Sequence, residues 1–277
     1  MAQFGRALRS GRRGRKFESC RFDTDGKPVY AYMKSMSGFF VFEGEIFMRI
    51  HGFQKLTLLD YPGKIGCTIF LGNCNFRCPF CHNAELVLSA DKEPVMEEEE
   101  VLAVLQKRQG ILEGVCITGG EPTLFPDLFE LIGRIRELGY AVKLDTNGYR
   151  PEVLKKLVRA GMLDYVAMDI KNSPVRYGET VGVQNFRLDK IRESVEFLMN
   201  GSLDYEFRTT VTRELHSKKE LIEIGKWIQG CSRYYLQQYQ ESASVIRPVF
   251  SAYTPDEMNQ LKELLAEYIE EIYVRGV

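Results

Sequence analysis

The sequence predicts an α/β chain folded as a partial, open, TIM-like (βα)6 barrel. Three observations point there. From Lys64 onward, short apolar runs alternate with longer amphipathic ones, which is the pattern of βα units feeding a parallel sheet. Six such units are present, too few for a closed eight-stranded barrel. No shift in composition divides residues 48–277, so they read as one domain.

Residues 1–47 differ from the rest. Arg6, Arg9, Arg12, Arg13, Arg15 and Lys16 crowd among glycine and serine with neither a helical nor a strand period, so weak order is expected there. A basic arm that grips nucleic acid or a partner is the functional alternative. From Lys64 on, the strands are expected at about 65–71, 114–118, 141–146, 165–170, 205–211 and 234–239. Their helices are expected at about 96–109, 126–138, 151–160, 188–199, 218–228 and 254–270. Gly110, Gly139, Gly161, Gly201 and Gly230 stand where left-handed helix caps fall. Thr254-Pro255-Asp256-Glu257 supplies a capping hydroxyl, a proline at the first helical position and early acidic residues. The acidic run Glu97–Glu100 favours a helix start electrostatically and faces solvent.

Composition narrows the function. A formal charge of −1 gives no global electrostatic case for nucleic acid or an anionic membrane surface. No apolar stretch is long enough to span a bilayer, and the basic N-terminus lacks a secretory core, so a cytoplasmic protein is expected. Seven cysteines, three clustered and four scattered at Cys20, Cys67, Cys116 and Cys231, do not form a disulfide framework and fit a reducing compartment.

The clustered three decide the chemistry. Cys74, Cys78 and Cys81 are spaced C-x3-C-x2-C on the loop after the first apolar strand. Three thiolates there can converge on one metal centre and leave a position open, as an iron–sulfur cubane with three protein ligands would. Two other readings exist. Cys78-Pro79-Phe80-Cys81 alone reads as a redox dithiol, but that motif has no use for Cys74. A Cys3His zinc site with His82 leaves the downstream motifs unexplained.

With Phe80 before the last cysteine, this loop resembles that of the radical S-adenosylmethionine (SAM) superfamily. The run Leu59-Asp60-Tyr61-Pro62-Gly63-Lys64, then Phe70, Gly72 and His82-Asn83, is similar to the glycyl-radical-enzyme activases, most of all the anaerobic ribonucleoside-triphosphate reductase activating proteins. The resemblance runs from about His51 to Val277, and Met48 stands where such activases begin. Residues 1–47 are accordingly expected to be an upstream extension or a mis-assigned start.

The resemblance implies one [4Fe–4S] cluster on the three cysteines and S-adenosyl-L-methionine beside it. It implies that Gly119, Gly120 and Glu121 bind the cofactor's amino group, and that Asp145 and Asn147 of Asp145-Thr146-Asn147-Gly148 lie beside the cofactor. Asp169 and Lys171 at the fourth strand's end, Arg208 on the fifth, Phe80 and His216 complete the expected cofactor contacts. Alternation puts Lys143, Asp145 and Asn147 on one face, and Glu206, Arg208 and Thr210 on one face. A barrel-facing Arg208 needs a counter-ion, expected to be Glu206 or a ligand carboxylate. A lone histidine at a helix start, such as His216, is structural in the competing reading. Gln237, Gln238 and Gln240 offer amides with no assigned role.

The implied activity is reductive cleavage of the cofactor to a 5′-deoxyadenosyl radical that takes hydrogen from a glycine of a partner enzyme. The implied electron donor is a flavodoxin or ferredoxin. The scattered remaining cysteines argue for a single cluster. The rivals are an activase of pyruvate formate-lyase type, a radical enzyme acting on a small molecule or RNA, and a zinc or dithiol protein.

Overall fold

The computed structural model describes residues 41–42, 45–46, 48–242 and 244–277. The expectation for residues 1–47 therefore falls outside the described residues, apart from a minimal antiparallel pair, β1 (Val41–Phe42) with β2 (Glu45–Ile46).

The remaining strands form one eight-stranded sheet. In chain order they are β3 (Ile50–Thr57), β4 (Gly66–Leu71), β5 (Gly114–Gly119), β6 (Ala141–Thr146), β7 (Tyr165–Asp169), β8 (Asp204–Val211), β9 (Tyr234–Gln238) and β10 (Ile272–Arg275). Their spatial order is their sequence order, and β3 and β10 are not paired with each other. The barrel is thus partial and open. Strands β4 to β10 run parallel and β3 pairs antiparallel to β4. The six expected βα units are all present, followed by β10, which the sequence reading missed, as it did β3.

The helices are α1 (Ala84–Leu88), α2 (Glu98–Lys107), α3 (Leu128–Glu137), α4 (Pro151–Arg159), α5 (Tyr177–Val181), α6 (Leu188–Met199), α7 (Lys218–Trp227) and α8 (Pro255–Leu265). Local chemistry starts them as expected. Thr254 and Glu257 form a capping box on α8, Ser217 and Glu220 form one on α7, and Pro151 opens α4. Four of the five expected cap glycines are left-handed; Gly201 is not among them.

Alternation along each parallel strand sorts side chains to two faces. Ile69, Ile117, Leu144, Met168, Phe207 and Leu236 are fully buried against the helix layer, where Leu105, Ile132, Leu157, Val195, Ile224 and Leu261 meet them. Each such side chain contributes roughly 1.5–3 kcal/mol by leaving water. The other face carries Cys116, Lys143, Asp145, Asp169, Glu206, Arg208 and Gln237. An open barrel with a polar interior is the consequence. No helix among the described residues is long and apolar enough to cross a membrane.

Candidate functional site

The cysteine loop leaves β4 at its C-terminal end, where the loops of a parallel barrel converge. It is held on several sides. Asn73, in left-handed backbone at φ 60°, donates its N–H to Leu86 O at 2.7 Å, and Arg77 N–H donates to Val181 O at 2.8 Å. A segment between β9 and α8 straps it from outside: Arg247 N–H reaches Pro79 O at 2.8 Å and Ile246 N–H reaches Cys81 O at 3.2 Å. Phe76 packs edge-on against Tyr149 with ring centroids 5.3 Å apart. Cys74 and Cys78 are buried and Cys81 is half-buried, and all three line one cavity of about 900 Å³, its open mouth included.

The Gly119–Gly120 turn lies against this loop. A methyl group on Gly120 would fall 1.8 Å from Asn73 O, and one on Gly119 would fall 2.1 Å from Leu71 O. Gly120 N–H donates to Leu71 O and Glu121 N–H to Asn73 O, both at 2.8 Å. The resemblance implies that these glycines bind the cofactor. What their missing side chains admit is the cysteine loop, while the turn itself still lines the cavity.

Glu121 differs from its expected place. It is 1% exposed and does not line the cavity. Its carboxylate accepts Thr123 N–H at 3.1 Å, Thr146 Oγ1–H at 2.7 Å, Asn147 N–H at 2.7 Å and the Thr123 hydroxyl. Burial pushes its pKa up against those bonds. With its lone pairs turned inward, Glu121 ties the turn after β5 to the turn after β6.

A row of charges crosses the floor of the cavity. Lys143 pairs with Asp145; Arg208 Nη1 donates to Asp145 at 3.0 Å and Nε to Asp169 at 2.9 Å; Lys171 Nζ donates to Asp169 at 2.9 Å. Burial alone would raise the Asp145 carboxyl, but Arg208 and Lys143 hold it well below the carboxylate range. Burial works against a charged Lys171 as well, and Asp169 overcomes it and raises the pKa. Arg208 does not take Glu206 as its partner. Glu206, fully buried, instead accepts Arg275 Nη1 at 2.8 Å and Nη2 at 3.1 Å, and the Tyr165 hydroxyl at 2.9 Å. Alternation places Glu206 and Arg208 correctly on one face; the last strand, absent from the sequence reading, supplies the partner that separates them.

His216 lies outside the cavity lining. It is fully buried, its Nδ1 accepts Thr212 N–H at 3.1 Å, and its Nε2–H donates to Lys171 O at 2.9 Å. Burial lowers its pKa to about 4. It packs edge-on to Phe80, which does line the cavity. The expected direct cofactor contact is replaced by a structural one: His216 braces the backbone of Lys171.

Asn147 Nδ2 donates to Asn75 Oδ1 at 2.7 Å and lies 3.9 Å from Cys74 Sγ, and Asn83 Nδ2 donates to Gly119 O at 3.0 Å. Asn75 was invisible to sequence reasoning; Thr210 falls on the face that alternation gives to Arg208, while Thr118 and Thr146 carry no signal as cavity residues beyond their position at strand ends.

The donor set suits a soft group: three thiols face one cavity, and thiolates are the ligands of iron–sulfur clusters. His82 lies tilted against Tyr239, with ring centroids 5.4 Å apart. Burial pushes the Cys78 thiol up to about 12, opposed by Lys171. A buried thiol in that state becomes a stable thiolate when metal replaces its proton.

Comparison with known proteins follows this geometry. The Radical SAM superfamily profile matches residues 68–217, more than half of the chain. A protein of Methanocaldococcus jannaschii named for glycyl-radical enzyme activation is 29% identical over 82% of this chain and 96% of its own. The pyruvate formate-lyase-activating enzyme of Clostridium pasteurianum is 32% identical over 45% of this chain and 52% of its own. Among solved structures, Streptococcus suis SuiB bound to S-adenosylmethionine superposes with a TM-score of 0.60 at 18% identity, over 74% of this chain and 48% of SuiB. This chain therefore spans about half of SuiB, and that likeness concerns the fold.

Proposed function

The chain belongs to the radical SAM superfamily, and from that premise we propose that it activates a glycyl radical enzyme, with anaerobic ribonucleoside-triphosphate reductase as the partner. Its superfamily uses a [4Fe–4S] cluster and S-adenosylmethionine. The observation that carries the reading is one cavity bringing together the three cysteines, the Gly119–Gly120 turn and the row from Asp145 to Lys171. The likeness along nearly the whole M. jannaschii protein supports the substrate class.

In this reading Cys74, Cys78 and Cys81 hold the cluster, and Gly119, Gly120, Asp145, Asn147, Asp169, Lys171 and Arg208 surround the S-adenosylmethionine. When bound, the two cofactors supply a one-electron reductive cleavage and a carbon radical able to take hydrogen from glycine. The chain's own part is placement and exclusion. Phe76 and Phe80 put apolar rings on the thiol side of the cavity, and the Arg208 bridge fixes both carboxylates before any ligand arrives. Glu121 and His216 serve from behind, fixing the turns that carry Asn147 and Lys171. The unclosed sheet leaves room for a protein loop to enter. A flavodoxin or ferredoxin supplies the electron, and a reducing cytoplasm suits the buried free thiols. Residues 48–277 form the catalytic unit, preceded by an upstream extension.

The test is anaerobic. Reconstituted and reduced protein is mixed with S-adenosylmethionine and a candidate reductase, and the electron paramagnetic resonance spectrum is recorded. A glycyl doublet on the reductase is expected. A doublet only on a pyruvate formate-lyase would move the partner to that class, which the Clostridium enzyme's 32% identity favours. No cleavage by a verified, reduced cluster would overturn the reading.

A further inference from the structure

The cavity changes character along the sheet. From β6 to β8 its wall is charged, and those charges bond one another. From β8 to β9 it is uncharged. Thr210 and Gln237 sit there as register partners on adjacent strands, and both line the cavity. No hydrogen bond from another described residue engages either side chain. The two other glutamines of this stretch are occupied: Gln238 donates to Tyr253 O at 2.6 Å and Gln240 to Gly276 O at 2.7 Å. A hydroxyl beside a carboxamide offers donors and acceptors without charge. Once a ligand covers that wall, each group must find a partner or bear the cost of desolvation.

We propose that Thr210 and Gln237 are the recognition wall for the main chain of the peptide segment that carries the target glycine. The inference rests on the activase reading above. Glycine presents no side chain, so at that residue a site can hydrogen-bond only the main-chain N–H and C=O groups. A carboxamide matches a peptide group donor for acceptor. A charged small substrate would meet no counter-ion on this wall, and the nearest ions are bonded to one another. The wall therefore selects a neutral, extended chain.

The probe is a short, uncharged, fluorescein-labelled peptide with a central glycine, titrated by anisotropy into the anaerobically reconstituted protein with S-adenosylmethionine. Gln237→Leu and Thr210→Val are each expected to weaken binding about tenfold, as loss of a hydrogen bond predicts. Thr210→Ser is expected to restore it. Gln240→Leu, whose side chain bonds Gly276 outside the cavity, is the control. N-methylation of the peptide beside its glycine should weaken binding to wild type and add nothing to the loss in Gln237→Leu. Equal affinity in wild type, Gln237→Leu and Thr210→Val overturns the wall and leaves the activase reading intact. A wild type that binds no such peptide also overturns the wall, while the activase reading is judged separately by the glycyl doublet on the intact partner.

Discussion

Arg208 donates to Asp145 at 3.0 Å although the two sit on β8 and β6, with all of β7 between them. Its Nε donates at the same time to Asp169 on that intervening strand. One planar guanidinium thus joins three strands, which lysine's point charge cannot reproduce. Arg208→Met should lower stability by about 1–3 kcal/mol at neutral pH, because two half-buried carboxylates lose their shared cation and keep only Lys143 and Lys171. Arg208→Lys should recover part of the loss. The sign of the pH dependence follows from Asp145. Its pKa is lowered on folding, so its contribution is present above the unfolded value and disappears as pH falls below it. The gap between wild type and Arg208→Met in urea denaturation should therefore narrow on acidification below about pH 4.

Gly120 predicts a different failure. A methyl group there meets a backbone oxygen, Asn73 O, at 1.8 Å, so relief requires moving the cysteine loop itself. Gly120→Ala should lower stability by about 1–3 kcal/mol and reduce iron loading together. Gly133→Ala is the counter-case: Gly133 lies inside α3 with nothing within 4 Å of the added carbon and no left-handed φ. It should gain up to about 1 kcal/mol through helix propensity. Thermal unfolding and iron analysis of the pair separate the two effects, and a Gly120→Ala protein with full iron would remove the packing argument.

What the sequence shows of this molecule follows the range of its signals. The six parallel strands and their helices are legible because apolar runs of the right length lie between glycines and capping residues. Strand β3 is not, since register shifts at Ile50/Gly52 and Gln54/Thr57 break its alternation. Strand β10 is a four-residue segment at the chain's end, too short to carry a period. The cysteines, the Gly-Gly turn and Asp145 are visible because their chemistry is local. Pairing is not local. Nothing near Glu206 announces that Arg275 will reach it, and nothing near His216 announces the carbonyl of Lys171.

Cys78 tests the ligand assignment. Cys78→Ala is expected to abolish iron loading after anaerobic reconstitution, while Cys231→Ala, at a buried thiol outside the cavity, should load like wild type. Iron and sulfide analysis with the visible absorption spectrum reads both. Full cluster content in Cys78→Ala would transfer the ligand role elsewhere.

His216 supplies the acid limit of stability. Burial lowers its pKa from 6.5 to about 4, so between those values the unfolded chain binds a proton that the native protein refuses. Stability must then rise with pH across that window and be flat, as far as His216 is concerned, above about pH 6.5. The full loss on descending to about pH 4 is roughly 3 kcal/mol. His51 and His82 are also lowered by burial, so the whole protein's acid sensitivity is not His216 alone. Subtraction isolates it. His216→Gln should cost about 1–3 kcal/mol at about pH 7.5, because Thr212 N–H or Lys171 O loses a well-placed partner. The urea midpoint of the variant should also fall less steeply than that of wild type from about pH 6.5 to about pH 4.5. Parallel slopes would mean that the native protein protonates His216 at its ordinary pKa, which its donated Nε2–H to Lys171 and accepted N–H from Thr212 leave no room to do.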